Sequence, residues 1–170
     1  MKTKEIIRVG LFAAVMAALS VITVPIGTIP ITLGVFAVFL TALILPKKQA
    51  VYAVLIYILL GAVGIPVFSG MRGGVSVLLG ATGGYIWSYP IMAWIIGTAA
   101  ENKTVPRRIL VCMLAVCVCY LLGTVQYHFI SERPFLELLM VCAVPFIPFD
   151  LLKAVAAVFL SREIQKRLNL

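Results

Sequence analysis

Charged side chains are scarce in this chain of 170 residues. Only 12% of the residues are Asp, Glu, Lys or Arg, whereas 63% are hydrophobic. A soluble domain usually has about 25% charged residues, because its surface must be covered with polar groups. The shortage of charge excludes a soluble enzyme, a secreted disulfide-bonded module and a disordered tail. Several apolar stretches approach the ~20 residues that cross a bilayer, which predicts an all-α integral membrane protein.

Catalytic and metal-binding patterns are also missing. The chain has no Gly-x-x-x-x-Gly-Lys-[Ser/Thr] loop that would grip a nucleoside triphosphate. Its four cysteines, at positions 112, 117, 119 and 142, match no common zinc spacing, and we interpret them as apolar packing residues. His128 is the only histidine, and no Ser–His–Asp set can be assembled. The sequence therefore predicts no enzyme, no metal site and no cofactor.

Prolines and charges divide the chain into six predicted transmembrane helices. No charged residue lies between Arg8 and Lys47, and these 38 residues are too many for one helix. The segment 23–30 splits them, because it contains two prolines and a glycine. The predicted helices cover approximately residues 5–22, 31–45, 49–63, 85–100, 106–127 and 148 onward. We expect one domain over residues 1–170.

The distribution of basic residues predicts the orientation. Eleven of the 14 Lys and Arg residues lie near the N-terminus, in the 46–48 turn, in the 101–108 loop or near the C-terminus. Positive charge favours the cytoplasmic face, so both termini are expected inside and the loops around Gly27, Arg72 and Arg133 outside. The net charge of +8 then reflects topology and attraction to anionic lipid, and needs no nucleic-acid partner.

Two ionisable residues, Asp150 and Lys153, lie inside the apolar segment 145–154. Three residues apart on a helix, they project from the same face. Pro148 suits the first helical position, which places Asp150 in the first turn, where the helix dipole favours an anion. Charges inside a membrane span are costly and usually mark a site or pathway. The alternative is an ion pair that only pins the bundle, although such pairs are often no better than apolar packing.

A Gly-rich passage occupies residues 64–84. It is too apolar for a solvated loop and too rich in glycine for a stable helix, so we expect a re-entrant or capping loop that lines an outer cavity. Arg72 would be the outward-facing cation near that cavity, with a snorkelling surface arginine as the alternative. The glycines expected to permit close backbone approach to a ligand are Gly73, Gly74, Gly83 and Gly84.

Together these residues resemble the BioY family. The resemblance rests on Pro30-Ile31-Thr32-Leu33, on Gly61-Ala-Val-Gly64-Ile-Pro66-Val-Phe68, on Gly80-Ala-Thr82-Gly83-Gly84-Tyr85 and on Asp150-Leu-Leu-Lys153. It covers nearly the whole chain and implies the six-helix fold of a biotin-specific S component, the substrate-binding subunit of an energy-coupling factor transporter. It also implies a bacterial-type plasma membrane, capture of biotin from outside, and partnership with a transmembrane coupling protein and two cytoplasmic ATPases.

The resemblance places recognition of the ureido ring of biotin on Asp150 and Lys153. The carboxylate accepts from a ring N–H, and the ammonium donates to the ring carbonyl. From its charge and location, Arg72 is our candidate for binding the biotin carboxylate. Apolar walls for the rings and the valeryl chain are expected from three aromatic residues, for which core packing is the alternative: Phe68, Tyr85 and Trp87.

The resemblance also implies a docking stripe of small residues on the first helix. Ala13-x-x-x-Ala17 matches the expected Ala-x-x-x-Ala pattern, and Ala14-x-x-x-Ala18 offers the same spacing shifted by one residue. Small residues allow helices to approach closely in lipid, but they serve equally well in packing within the bundle. The register that faces a partner stays open at this point.

Three other functions remain as alternatives. The first is an S component for another vitamin, riboflavin or thiamine. The second is a stand-alone facilitative or secondary transporter, which would work without coupling proteins. The third, a small intramembrane enzyme, is disfavoured because no nucleophile and base are paired in the sequence.

Overall fold

The structure is a computed structural model that describes residues 2–24, 30–100 and 104–168. In these residues an antiparallel pair of short strands, β1 (Thr23–Val24) and β2 (Ile31–Thr32), follows the first helix. A 3-10 turn at Val144–Phe146 leads into the last helix. The α-helices of the described residues are α1 (Thr3–Ser20), α2 (Gly34–Ile44), α3 (Lys47–Ala62), α4 (Val75–Leu79), α5 (Gly83–Ala100), α6 (Val105–Ser131), α7 (Phe135–Cys142) and α8 (Ile147–Leu168).

The short helix α2 forms the centre of the bundle. It packs against α1, α3, α5 and α8, and its residues from Ala37 to Ile44 are all buried. At 1.5 Å per residue its 11 residues reach only about 16 Å, roughly half of a ~30 Å hydrocarbon layer. The longer helices therefore extend past the start of α2, which leaves space above it between their ends.

Large apolar side chains cover the outside of the bundle as well as its inside. Leu11, Leu59, Trp94, Leu114 and Phe159, on five different helices, are all exposed. A soluble monomer rarely exposes apolar surface on this scale. Two apolar helical stretches in the described part of the chain, Val105–Ser131 and Phe135–Arg167, have the length and composition to cross a membrane. The surface is that of a membrane protein with apolar helices.

Helices α5 and α6 make the most extensive helix pair, and glycine brings their backbones together. A Cβ on Gly84 would lie 2.5 Å from the Leu122 carbonyl oxygen and 3.0 Å from the Gly123 Cα. A Cβ on Gly123 would lie 2.3 Å from the Tyr85 ring. Small residues at such crossings are typical of helix packing in membranes.

The long helices coincide with the predicted ones to within a few residues, with α2 starting at Gly34 rather than Ile31. Three features were not predicted: the strand pair β1–β2, the short α4 inside the Gly-rich passage, and α7 before Pro145. The Gly-rich passage is therefore partly helical, contrary to expectation. The loop predicted around Gly27 lies outside the described residues.

Candidate functional site

A cavity lies above the start of α2, where the ends of the long helices meet. Its volume is about 80 Å³, whereas a cavity needs roughly 10–15 Å³ to hold one water molecule. The helices contribute alternate ends, as an up-and-down bundle requires. The residues that show this are Ser20 at the end of α1, Val35 near the start of α2, Tyr57 late in α3, Tyr85 early in α5, Tyr120 just past the middle of α6 and Asp150 early in α8.

An ion pair between Asp150 and Lys153 forms one wall of the cavity. Lys153 Nζ lies 2.8 Å from Asp150 Oδ1, and the two side chains are only 12% and 4% exposed. Asp150 lies in the first turn of α8, as predicted. Removing either partner would leave an uncompensated buried charge, so substitution of Asp150 or Lys153 alone is destabilising.

Tyr120 of α6 adds a second contact to the same carboxylate. Its hydroxyl donates to Asp150 Oδ2 over 2.5 Å. A carboxylate has about four lone-pair positions, and Lys153 and Tyr120 take one each. The Lys153 ammonium has three N–H donors, and Asp150 takes one. The wall can therefore still accept a hydrogen bond from an N–H and donate one to a carbonyl. One edge of a cyclic urea presents these two groups, an N–H beside a carbonyl oxygen.

Aromatic rings form much of the remaining lining. Phe68 and Tyr85, two of the three predicted wall residues, line the cavity together with Tyr57 and Tyr89. The Phe68 ring meets Tyr57 edge-on at 5.7 Å, and Tyr57 stacks with Tyr89 at 6.5 Å between centroids. These rings give the cavity apolar faces of fixed orientation.

Trp87, the third predicted wall residue, lies elsewhere. It is not among the residues that line the cavity, and it is 48% exposed. Its indole N–H donates to the Leu78 carbonyl oxygen over 3.1 Å, which caps the end of α4. Two residues after Tyr85 on the same helix, Trp87 points away from the cavity face because positions i and i+2 do not share a face. The expectation that Trp87 supplies a cavity wall is wrong in this structure.

Arg72 lies at the edge of the cavity on the loop between α3 and α4. Its Nε donates to the Ser69 carbonyl oxygen over 3.1 Å, and its side chain is exposed. Arg72 and Phe68 pair through both backbone N–H groups, which makes a tight turn between them. The guanidinium therefore stands at the mouth and keeps its terminal nitrogens available to an anion.

The loop that carries Arg72 is closed at its base. The Gly61 carbonyl oxygen accepts from Gly64 N at 3.1 Å and from Gly74 N at 2.7 Å, so both ends of the loop meet at one atom. Gly74 has φ +99°, where other residues are strained, and a Cβ on Gly73 would lie 2.5 Å from the Ile65 carbonyl oxygen. These two glycines lie in the loop between α3 and α4, and their role in capping a ligand stays a prediction.

Gly83 and Gly84 belong to a different structure. Both lie in the first turn of α5, where Gly83 meets the Leu78 carbonyl and Gly84 packs on α6. Their expected place in a capping loop is wrong, because the close approach they permit is to helix backbone. Gln126 of α6 fixes the same region by donating to the carbonyl oxygens of Leu78 and Gly80 at 2.9 and 2.7 Å.

The small residues of α1 divide between two faces. Ala13 is 1% exposed and packs in the core, and Ala17 is partly buried beside it. Ala14 and Ala18 are exposed, as is Gly10, around which a Cβ would meet nothing within 4 Å. Ala13 therefore cannot form the centre of a docking surface, and the shifted register carries the exposed small residues.

Several residues that line the cavity were not predicted from the sequence. Tyr89 lies four residues after Tyr85, a spacing that places both on one helix face and was visible in the sequence. Tyr120 carried no such signal, because its partner Asp150 is 30 residues away. Ser20 and Thr32 also line the cavity and were not among the predicted site residues, although Thr32 lies in one of the motifs that carry the family resemblance. No group of three His, Cys, Asp or Glu side chains that could hold a metal lies within 2–24, 30–100 and 104–168.

Comparison with known proteins gives one consistent result. A sequence model described as the BioY family matches residues 1–170. The chain is 38% identical over 164 residues to "Biotin transporter BioY" of Thermotoga maritima, covering 96% of each chain. It is 39% identical over 166 residues to "Probable biotin transporter BioY" of Pyrococcus horikoshii, covering 97% of this chain and 98% of the relative.

A solved structure shares the fold. It is described as the S-component for biotin from an ECF-type ABC transporter, and it superposes with a TM-score of 0.90 at 25% sequence identity. The match covers 97% of this chain and 92% of the solved one.

Proposed function

The chain belongs to the BioY family, and from that premise we propose that it is the biotin-binding S component of an energy-coupling factor transporter. The cavity beside Asp150 and Lys153 is the biotin site in this proposal. The observation that carries it is the buried, Tyr120-braced ion pair, whose free acceptor and donor positions match one edge of the ureido ring. A ligand without this edge would leave the pair's remaining positions unmatched, which gives selectivity.

The proposed pose runs from the ion pair to the mouth. The ureido ring lies against Asp150 and Lys153, the bicycle and valeryl chain lie between Phe68 and Tyr85, and the carboxylate reaches Arg72. The lining supports this order, because all five residues border the cavity and Arg72 stands on its covering loop. Gly73 and Gly74 let that loop lie close over the ligand. No bond of the ligand is broken or formed, so the role is binding and delivery without catalysis.

We further propose that the chain is one transmembrane domain of six spans in the plasma membrane, formed by α1, α2, α3, α5, α6 and α8. The alternation of helix ends around the cavity supports this count, and the basic residues support cytoplasmic termini and an outward-facing cavity. Lipid then covers the exposed apolar residues. Because α2 is shorter than the hydrocarbon layer is thick, the cavity above it would lie within the thickness of the membrane.

The same proposal includes docking on a transmembrane coupling protein that works with two cytoplasmic ATPases. The docking face is the exposed side of α1, with Gly10, Ala14 and Ala18 spaced four residues apart. This revises the register that the sequence analysis gave first, because Ala13 is buried. ATP hydrolysis by the partners would then drive reorientation of the bundle and release of biotin inward.

The decisive experiment is a titration of purified, detergent-solubilised protein with biotin after bound ligand has been stripped. We expect tight binding to the wild type and loss by orders of magnitude in Asp150→Asn and Lys153→Met, because each leaves a buried charge unpaired. Failure of the stripped, folded wild type to bind biotin would overturn the proposal. Riboflavin and thiamine belong in the same titration, since binding of either one without biotin would identify another vitamin S component.

Helix α8 provides a matched control. Glu163 and Lys166 have the same spacing and the same 2.8 Å nitrogen–oxygen distance as Asp150 and Lys153, but their side chains are 59% and 68% exposed. Glu163→Gln and Lys166→Met should bind biotin as the wild type does. Uptake of biotin by cells that lack coupling proteins would favour a stand-alone transporter.

A further inference from the structure

A second polar group lies in the cavity, on the side of α1, β2 and α5. The hydroxyl oxygens of Ser20, Thr32 and Tyr89 lie 3.2, 3.1 and 3.0 Å from the point that a Cβ on Gly34 would occupy. All three residues line the cavity. We name these three residues the hydroxyl cluster. A Cβ on Gly34 would lie closer to all three hydroxyls than ordinary van der Waals contact allows, so it would displace them.

Ser20 is the unsatisfied member of the hydroxyl cluster. It is 2% exposed, and its Oγ has no hydrogen-bond partner among the residues that the structure describes. Tyr57 is nearby, but its hydroxyl donates to the Val67 carbonyl oxygen. Thr32 Oγ1 accepts from Gly34 N over 3.1 Å. A buried hydroxyl without a partner is destabilising, and a ligand that supplies the missing partner removes this penalty on binding.

The ion pair leaves part of a ureido ring uncovered. Asp150 and Lys153 project from one face of α8 and so meet one edge of the ring, where an N–H stands beside the carbonyl. The second N–H lies on the other edge and needs an acceptor from another wall. Tyr89, Asp150 and Lys153 all line the cavity, so the hydroxyl cluster and the ion pair border the same space. The hydroxyl cluster is also uncharged, so it suits the neutral N–H of the ligand's ring better than the ligand's carboxylate.

We propose that the hydroxyl cluster is a second recognition subsite for the ureido ring, in which Ser20 accepts the N–H that Asp150 leaves uncovered. The inference rests on the proposed binding of biotin and extends it to a specificity-determining wall. Thr32 and Tyr89 position the edge of the ring so that its N–H points at Ser20. Gly34 supports the hydroxyl cluster, because a side chain there would displace all three hydroxyls.

The test combines protein variants with altered ligands. Ser20→Ala, Thr32→Val and Tyr89→Phe each remove one hydroxyl, and Gly34→Ala displaces all three. Each is titrated with biotin and with the two cyclic carbamates in which one or the other ureido N–H is replaced by oxygen. Ser20→Ala should weaken biotin binding about tenfold to a hundredfold. The same loss should appear with one carbamate and vanish with the other, which lacks the N–H that Ser20 accepts.

Thr41→Val is the matched control. Thr41 is also buried, and its hydroxyl also finds no partner within the described part of the chain, but Thr41 does not line the cavity. It should leave the affinity for all three ligands unchanged. Equal losses with biotin and both carbamates, or no loss in any of the three hydroxyl variants, would overturn the inference while biotin binding stands. Absence of biotin binding in the wild type would instead overturn the proposed function.

Discussion

Tyr120 on α6 and Asp150 on α8 are joined by a 2.5 Å hydrogen bond in which the tyrosine hydroxyl donates to the carboxylate. Lys153 holds the other carboxylate oxygen at 2.8 Å. The carboxylate is therefore fixed from two directions before any ligand arrives. Preorganisation of this kind raises affinity because binding does not have to order the group.

Tyr120→Phe removes only the hydroxyl, and we expect it to weaken biotin binding about tenfold. Without this donor, the carboxylate can turn fully toward Lys153 and withdraw from the ligand. Isothermal titration of the single variants and of the double variant with Asp150→Asn measures the coupling. If Tyr120 acts through Asp150, its effect should disappear in the Asp150→Asn background.

Tyr52→Phe serves as the control for this series, because Tyr52 is exposed on α3 and does not line the cavity. Its biotin affinity should equal that of the wild type. Additive effects of Tyr120→Phe and Asp150→Asn would show that Tyr120 acts on the ligand independently of the carboxylate.

Arg72→Met should weaken biotin binding about fivefold, because the exposed guanidinium acts on the ligand carboxylate through partly screened charge. The loss should shrink as salt is raised, and biotin amide, which has no carboxylate, should bind the variant and the wild type equally. Arg133→Met is the control, since that exposed arginine pairs with Glu137 away from the cavity. A loss of the same size for biotin amide would count against contact between Arg72 and the carboxylate.

Gly61→Ala should destabilise the protein by about 1–3 kcal/mol and weaken biotin binding. The added Cβ would lie 2.1–2.5 Å from three atoms of the Phe68 ring and push the ring from its place. Thermal unfolding in detergent measures the loss, and combining Gly61→Ala with Phe68→Leu should recover part of it. Gly10→Ala, where a Cβ meets nothing within 4 Å, should not be destabilising. Equal unfolding temperatures for Gly61→Ala and wild type would refute this account.

Ala14→Leu and Ala18→Leu should abolish biotin uptake while leaving biotin binding intact. Both residues are exposed on α1, so larger side chains spare the bundle but keep a partner helix at a distance. Co-purification with the coupling protein and uptake in cells provide the two readouts. Ala156→Leu, at an exposed position on α8, is the control and should retain uptake. Normal assembly of both α1 variants would place the docking face on another helix.

The sequence was most informative where a residue conflicted with its surroundings. Asp150 and Lys153 stand out because charge is costly in an apolar segment, and the helix breaks follow from the prolines. The position of Ala13 was not readable from the sequence, because α1 is apolar on both faces: Ile7 and Leu11 are exposed, whereas Phe12 and Met16 are buried beside Ala13. Only the packing of the bundle shows that Ala14 and Ala18 lie outside.

Other features depend on residues far apart in the chain and carry no local signal. Glycine occurs both in loops and at close helix crossings. Only the contacts with Leu122 and Gly123 on α6 show that Gly84 lies at a helix crossing. The residues of the hydroxyl cluster come from α1, β2 and α5. Because they are far apart in the sequence, no local pattern predicts that they lie together. Trp87 was assigned by its aromatic character alone, although its position on α5 relative to Tyr85 excludes it from the cavity face.

The Gly61 carbonyl, which accepts hydrogen bonds from both ends of the Arg72 loop, bears on the rate of ligand exchange as well as on affinity. A loop tied at its base keeps its shape when it moves, and opening it separates the Phe68 ring from Gly61 or breaks the Phe68–Arg72 turn. Both events break several contacts together, so we expect this loop to slow the release of a bound ligand.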